Sequence, residues 1–135
     1  MDFHPDVLHC HDWQTGLAPV LLKDRFAGGE FFRSIRSVFT IHNLRFQGVW
    51  DIKTIKRFTE LSDYYFTPDK LECDRNCNLL KGGLVYADAI TTVSKTYARE
   101  IQYPFFGEGL EGLLQARDHD LRGIVNGIDY EEWNP

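Results

Sequence analysis

Apolar positions along the chain fall into short runs that stop abruptly at polar residues, separated by stretches with helical spacing. Residues 6–10 (DVLHC) are entered through Pro5 and left at His11 and Asp12, a pattern that predicts a strand. Over 15–26, Leu17, Val20, Leu21 and Leu22 recur at helical spacing, so a helix is expected next. The succession then repeats, with a strand over 37–41 (SVFTI) ending at His42 and Asn43, a loop through Gln47 and Gly48, and a short helix over 51–58. Further on, 79–87 reads as helix despite the paired Gly82 and Gly83, and 89–93 (AITTV) as a strand. Ser94 is placed to cap a helix over 95–101, with Tyr97, Ala98 and Ile101 on one face. Residues 110–116 form another helix candidate, and 121–125 (LRGIV) a last strand that stops at Asn126 and Gly127.

Four short apolar strands alternating with helices predict an α/β fold, a Rossmann-like parallel sheet with flanking helices covering both faces. No internal repeat and no linker divides the chain. Residues 59–78 follow neither period and contain Pro68 and the polar stretch 72–78, so a long surface excursion is expected, a candidate contact for a large substrate. Within it, Tyr64, Tyr65 and Phe66 suit either stacking on sugar rings or anchoring of the loop.

Composition narrows the class. With 135 residues, 43% hydrophobic and 26% charged, the chain matches ordinary globular domains, and disorder is not expected. The net charge of −5, the pI near 5.5 and the absence of a basic run argue against nucleic acid as a partner. No apolar stretch approaches the roughly 18 residues that a membrane helix needs, and no basic region followed by an apolar segment opens the sequence. A cytoplasmic location without membrane contact is therefore expected. Cys10, Cys73 and Cys77 are an odd number of thiols and fit the reduced state. Cys73 and Cys77, four apart, would share a face if helical, and His9 and His11 point the same way on a strand; neither pair has further ligands nearby, so no metal or other cofactor is expected.

In open α/β sheets ligands bind beyond the carboxyl ends of the strands, where helix N-termini and loop side chains converge. Those ends carry His11-Asp12-Trp13, His42-Asn43, Ser94 and Asn126-Gly127. Each is also an ordinary turn or cap residue type. Together they suit a polyhydroxyl ligand, which needs many side-chain donors and acceptors.

Five strings carry a resemblance: HCHDWQTGL at 9–17, TIHNLRFQG at 40–48, VSKTYAREI at 93–101, GLEGLL at 109–114 and VNGID at 125–129. In this order they resemble bacterial glycogen synthases and plant starch synthases. The resemblance implies the GT-B architecture, two Rossmann-like domains facing a cleft, and retaining transfer of glucose from ADP-glucose to the non-reducing end of an α-1,4-glucan. It implies that residues 1–135 are the second half of the N-terminal, acceptor-side domain. The family's Lys-x-Gly-Gly-Leu donor loop would precede residue 1 and the C-terminal nucleotide-binding domain would be absent, so the chain by itself is expected to be inactive. By the same resemblance His42 would be catalytic, lying against the transferred glucose. Asp12 and Asn126 would bind sugar hydroxyls, Asn43 and Gln47 would belong to the substrate-binding loop, and Trp13 would shape the glucan groove.

Lys81-Gly82-Gly83-Leu84 imitates the donor loop by its letters but falls on a helix, where a packing role is expected. Trp133 is expected to pack against the domain or a partner. The implied partners are ADP-glucose and the glucan, together with a second copy paired through an exposed sheet edge. An alternative of a different class is a glucan-binding or interaction module without catalysis.

Overall fold

A computed structural model describes residues 2–133. Strand β1 (Val7–His11) passes through a 3-10 turn at Trp13–Thr15 into helix α1 (Leu17–Lys23). Strand β2 (Arg36–Ile41) leads to the two-residue strand β3 (Val49–Trp50) and to α2 (Ile52–Thr59), whose N-cap Asp51 accepts a hydrogen bond from the Thr54 amide. A 3-10 turn at Asp63–Tyr65 precedes the hairpin β4 (Glu72–Cys73) and β5 (Asn76–Asn78), which runs directly into α3 (Leu79–Tyr86). Then follow β6 (Ala89–Thr92), α4 (Lys95–Glu100) capped by Ser94, α5 (Pro104–Gly107), α6 (Glu111–Ala116) and β7 (Leu121–Gly123).

The main sheet has the order β1-β2-β6-β7, every pair parallel. Its buried face presents Cys10, Phe39, Ile41, Ile90 and Leu121 to α3, α4 and α6, through Leu80, Leu84, Ala98, Ile101 and Leu114. Here the structure corrects the expectation that both faces are covered. Among the described residues the helices pack on one face, and the other carries the exposed Val7, His9 and His11 and the half-buried Val38, Ala89 and Thr91. Period-2 alternation of burial in parallel strands is the mark of this one-sided layer.

Residues 59–78 are also more ordered than the sequence suggests. β3, β5 and β4 form a small antiparallel sheet, and Leu61, Leu71 and Cys77 are buried with Val20, Ile55 and Leu79 in a second apolar cluster. The polar residues 72–76 that mask this order belong to a tight hairpin in which Asp74 and Arg75 both adopt positive φ. Cys73 and Cys77 therefore lie on two strands of a hairpin and share no helix face. Tyr65 and Phe66 pack on the second cluster, and the Tyr65 hydroxyl donates to Asp24; Tyr64 stays exposed beneath the Lys70 ammonium.

Gly82 and Gly83 sit inside α3 as packing residues. A Cβ on Gly82 would lie 2.4 Å from Leu71, and one on Gly83 would lie 2.3 Å from the Phe39 ring. Lys81 donates to the carbonyls of Pro68 and Glu72, tying α3 to the hairpin. Trp133 is 70% exposed, so it does not pack against the described residues. No helix among the described residues is long and apolar enough to cross a membrane.

Candidate functional site

The carboxyl ends of β1 and β2 meet at Asp12. Its N–H donates to Thr40 O at 3.0 Å, which extends the β1–β2 ladder, and its Oδ1 accepts the backbone N–H of His42 at 2.7 Å. Thr15 N–H donates to Asp12 O, and the Thr15 hydroxyl accepts from His11 N–H at 2.7 Å, which closes the turn. Asp12 has φ 56 and ψ −171, a conformation open mainly to glycine and costing a non-glycine residue about 1–3 kcal/mol. The surrounding hydrogen bonds hold that strain in place.

Beside this turn His11 Nδ1 lies 3.1 Å from His42 Nε2, and the His9 and His11 rings stack with centroids 4.2 Å apart. His9 Nε2 bonds the Thr40 hydroxyl at 2.7 Å, and Thr40 bonds the Thr91 hydroxyl at 2.6 Å. Desolvation, and then the nearby His11 and His42, hold the His9 imidazole below the usual histidine pKa. His9, His11, His42, Thr91 and Asn126 line one cavity of about 170 Å³. No group of three or more His, Cys, Asp or Glu among the described residues is arranged to hold a metal ion.

A second hollow, lined by Asp12, Trp13, Asn43 and Phe46, opens on the other side of the Asp12 turn. The Asn43 carboxamide oxygen accepts from Arg45 N–H at 2.8 Å, an Asx turn that shapes the loop. Next to it lies an open cleft of about 480 Å³ lined by Trp13, Arg45, Phe46 and Trp50. Phe46 and Trp50 are exposed there, while Trp13 also packs on both apolar clusters. Gly48, with φ +64, brings the backbone against the Trp13 indole, where a Cβ would approach within 2.5 Å.

Gln47 is committed within the protein. Its amide nitrogen donates to Leu44 O and Glu108 O, each at 2.9 Å, and its oxygen accepts from Asn78 Nδ2 at 2.6 Å. Because both carbonyls only accept, the amide has one satisfying orientation. Asn78 in turn caps α3 by accepting from Lys81 N–H, and Leu79 and Leu80 N–H donate to Gly48 O and Gln47 O. The loop after β2 is thereby clamped onto the start of α3.

Five of the six candidate residues thus meet at one sheet edge around adjoining hollows, with Gln47 as the brace behind them. Asn126 arrives from the segment after β7, where Ile124 N–H still pairs with Thr92 O. Thr40, Thr91, Asn78 and Glu108 complete these networks and were not singled out by sequence. The available signal was the period-2 row of polar residues at 9, 11, 40 and 42, which places them on one face of the sheet.

Residues 1–116 match the family model described as the starch synthase catalytic domain. The chain belongs to that family. Over all 135 residues it is 62% identical to a glycogen synthase of Lachnoclostridium phytofermentans and 49% identical to one of Anoxybacillus flavithermus, covering 28% of each. The catalytic domain of starch synthase IV from Arabidopsis thaliana, bound to ADP and acarbose, superposes with a TM-score of 0.88 at 35% identity, covering 97% of this chain and 27% of that one. The parallel sheet with its helices is therefore that of a GT-B glycosyltransferase domain. The chain spans a little over a quarter of the length of these relatives.

Within a starch synthase catalytic domain the geometry has clear chemical use. The His42 ring and the Asn126 amide offer donors and acceptors to one hollow, and the Asp12 carboxylate and the Asn43 amide to the other. The flat faces of Phe46 and Trp50 offer apolar contact to the side of a ring.

Proposed function

We propose that this chain forms the second half of the N-terminal, acceptor-side domain of a cytoplasmic glycogen or starch synthase. The longer protein transfers glucose from ADP-glucose to the non-reducing end of an α-1,4-glucan with retention of configuration. The observation that carries this reading is the Asp12–His42 junction at the ends of β1 and β2, set between the imidazole-lined cavity and the aromatic cleft in a chain of the starch synthase family. The ADP and acarbose bound to the Arabidopsis relative, a nucleotide and a glucan-like oligosaccharide, support the same pair of ligands.

In this reading His42 lies against the transferred glucose, and Asp12, Asn43 and Asn126 bind its hydroxyls. Trp13, Phe46 and Trp50 guide the glucan, and Gln47 holds their loop on α3. Preorganised dipoles serve a developing oxocarbenium charge best when they need no reorganisation, which the strained, cross-braced Asp12 turn supplies. The cationic groups around the donor phosphates would come from outside residues 1–135, so the chain by itself is inactive. Among the described residues β1 is an edge strand, which favours pairing with a second copy, and a stable monomer in sedimentation at high concentration would remove that point.

The test is transfer from radiolabelled ADP-glucose to glycogen by the full-length protein, by its His42→Ala variant and by residues 1–135 alone. Transfer by the first only is expected. A folded full-length protein that binds glycogen without transferring glucose would turn the reading to a glucan-binding module.

A further inference from the structure

His11 and His42 sit at the ends of neighbouring strands with His11 Nδ1 and His42 Nε2 3.1 Å apart. No other hydrogen bond from the described residues reaches either nitrogen, and none reaches His42 Nδ1. A bond between two imidazole nitrogens needs one N–H and one lone pair, so the tautomer of each ring dictates that of the other. Two neutral arrangements satisfy it. If His42 Nε2–H donates, both rings are Nε2–H tautomers; if His11 Nδ1–H donates, both are Nδ1–H tautomers. The neutral histidine side chain intrinsically prefers the Nε2–H form, so the first arrangement has both rings in the favoured state and the second has neither.

We propose that His11 is a positioning residue for His42: its Nδ1 accepts from His42 Nε2–H and so presents His42 Nδ1 as an acceptor to a hydroxyl of the sugar ligand. The identity of that ligand rests on the function proposed above; the histidine link itself does not.

The surroundings make His11 a fixed acceptor. Its ring stacks on His9, which the Thr40–Thr91 hydroxyl pair anchors, and its backbone N–H and carbonyl are both held by the Thr15 hydroxyl. The charged or titratable neighbours are few. His9 comes from β1 and Asp12 from the turn after it, while β2 and β6 contribute Thr40 and Thr91. Arg122, on the same face of β7, donates to His119 O and Leu121 O. The Asp12 carboxylate engages the His42 amide, leaving the tautomer to His11. A ligand hydroxyl donating to His42 Nδ1 would extend one directed chain, ligand O–H to His42 to His11, in which each bond polarises the next.

Long-range proton–nitrogen correlation spectra of the imidazoles in the 135-residue chain read the tautomers directly. His42 is expected with Nε2 protonated and Nδ1 bare. His11→Phe keeps a stacking ring without the acceptor and should leave His42 as a mixture of tautomers, while His11→Asn, whose side-chain oxygen falls near the position of Nδ1, should restore the single form. In the full-length protein His11→Phe should raise the KM for the sugar donor on the order of tenfold, with a smaller change in kcat, as the loss of one oriented hydrogen bond predicts. A wild-type spectrum with His42 protonated at Nδ1, or a His42 tautomer unchanged by His11→Phe, would overturn the proposal. The wild-type spectrum decides by itself, so a variant that fails to fold leaves the test intact. A full-length protein with the expected tautomer but no glucose transfer would defeat the glucosyltransferase reading and leave the histidine link standing.

Discussion

The Asp12 carboxylate accepts the His42 amide N–H at 2.7 Å, so a residue in a backbone conformation suited to glycine braces the loop at the end of the adjacent strand. Strain at this point and the hydrogen bond it makes possible have opposite effects on stability. Asp12→Gly removes strain of about 1–3 kcal/mol and a charge-assisted bond of about 1.5–3 kcal/mol, so folding stability is expected to change by no more than about 2 kcal/mol. Glucose transfer by the full-length protein should nevertheless fall by at least about tenfold, because the His42 loop loses its brace. Asp12→Asn keeps an acceptor at the same place and should be milder in transfer. Urea midpoints and transfer rates on the three proteins check this, and a loss of several kcal/mol in Asp12→Gly would show that the turn stores no strain.

Two buried glycines should respond unequally to alanine. A Cβ on Gly16 would lie 1.9 Å from the Leu79 carbonyl oxygen, which is backbone and cannot rotate away. A Cβ on Gly83 would lie 2.3 Å from a Phe39 ring atom, and rings can tilt. Gly83→Ala is expected to cost about 1–3 kcal/mol from overpacking, offset by up to about 1 kcal/mol of helix propensity. Gly16→Ala should cost more, since α1 and α3 must separate. Thermal unfolding of both variants provides the comparison.

The three thiols should differ in reactivity. Burial pushes Cys77 up to about 11 and raises Cys10 as well, and both side chains are sealed in apolar clusters. Cys73 is half-buried at the hairpin. A maleimide at pH 8 should label Cys73 first, with Cys10 and Cys77 following only on unfolding, as peptide mass spectrometry would resolve. Early labelling of Cys77 would mean that the small sheet opens readily.

The histidine stack makes stability depend on pH in a defined direction. Because desolvation and the nearby His11 and His42 hold the folded-state pKa of His9 below the usual histidine value, the unfolded chain takes up that proton first. The contribution of His9 is thus fully present above pH 6.5 and is lost as pH falls through the folded-state value. Urea midpoints measured from pH 7.5 down to 5 should decline, and His9→Gln should flatten part of that slope. An identical slope in the variant would exclude His9 as its origin.

Much of the scaffold was legible in advance. Apolar runs ending at His11, His42, Ser94 and Asn126 marked the main strands because, in a parallel sheet, a strand must be apolar where helices cover it and polar where it leaves the sheet. The hairpin of β4 and β5 was hidden because its strands are only two and three residues long and its turn uses Asp74 and Arg75 at positive φ, where glycine or asparagine would have signalled it. The bare second face of the sheet was missed for a different reason. Alternation over four or five residues is too short to separate a half-covered parallel strand from a fully buried one.

The sequence by itself determined the strand and helix succession, the packing role of Gly82 and Gly83, and the motifs, four of them within residues 1–116, that mark a starch synthase catalytic domain, since all of these reside in local spacing and in residue identity. Only the tertiary structure decided that Asp12 holds the His42 amide, that Gln47 is spent bracing the loop on α3, and that His9, His11 and His42 form one stack. The Asp12–His42, His11–His42 and Gln47–Asn78 contacts join residues 30 or more positions apart. Strand order and register create them, and no local pattern encodes strand order.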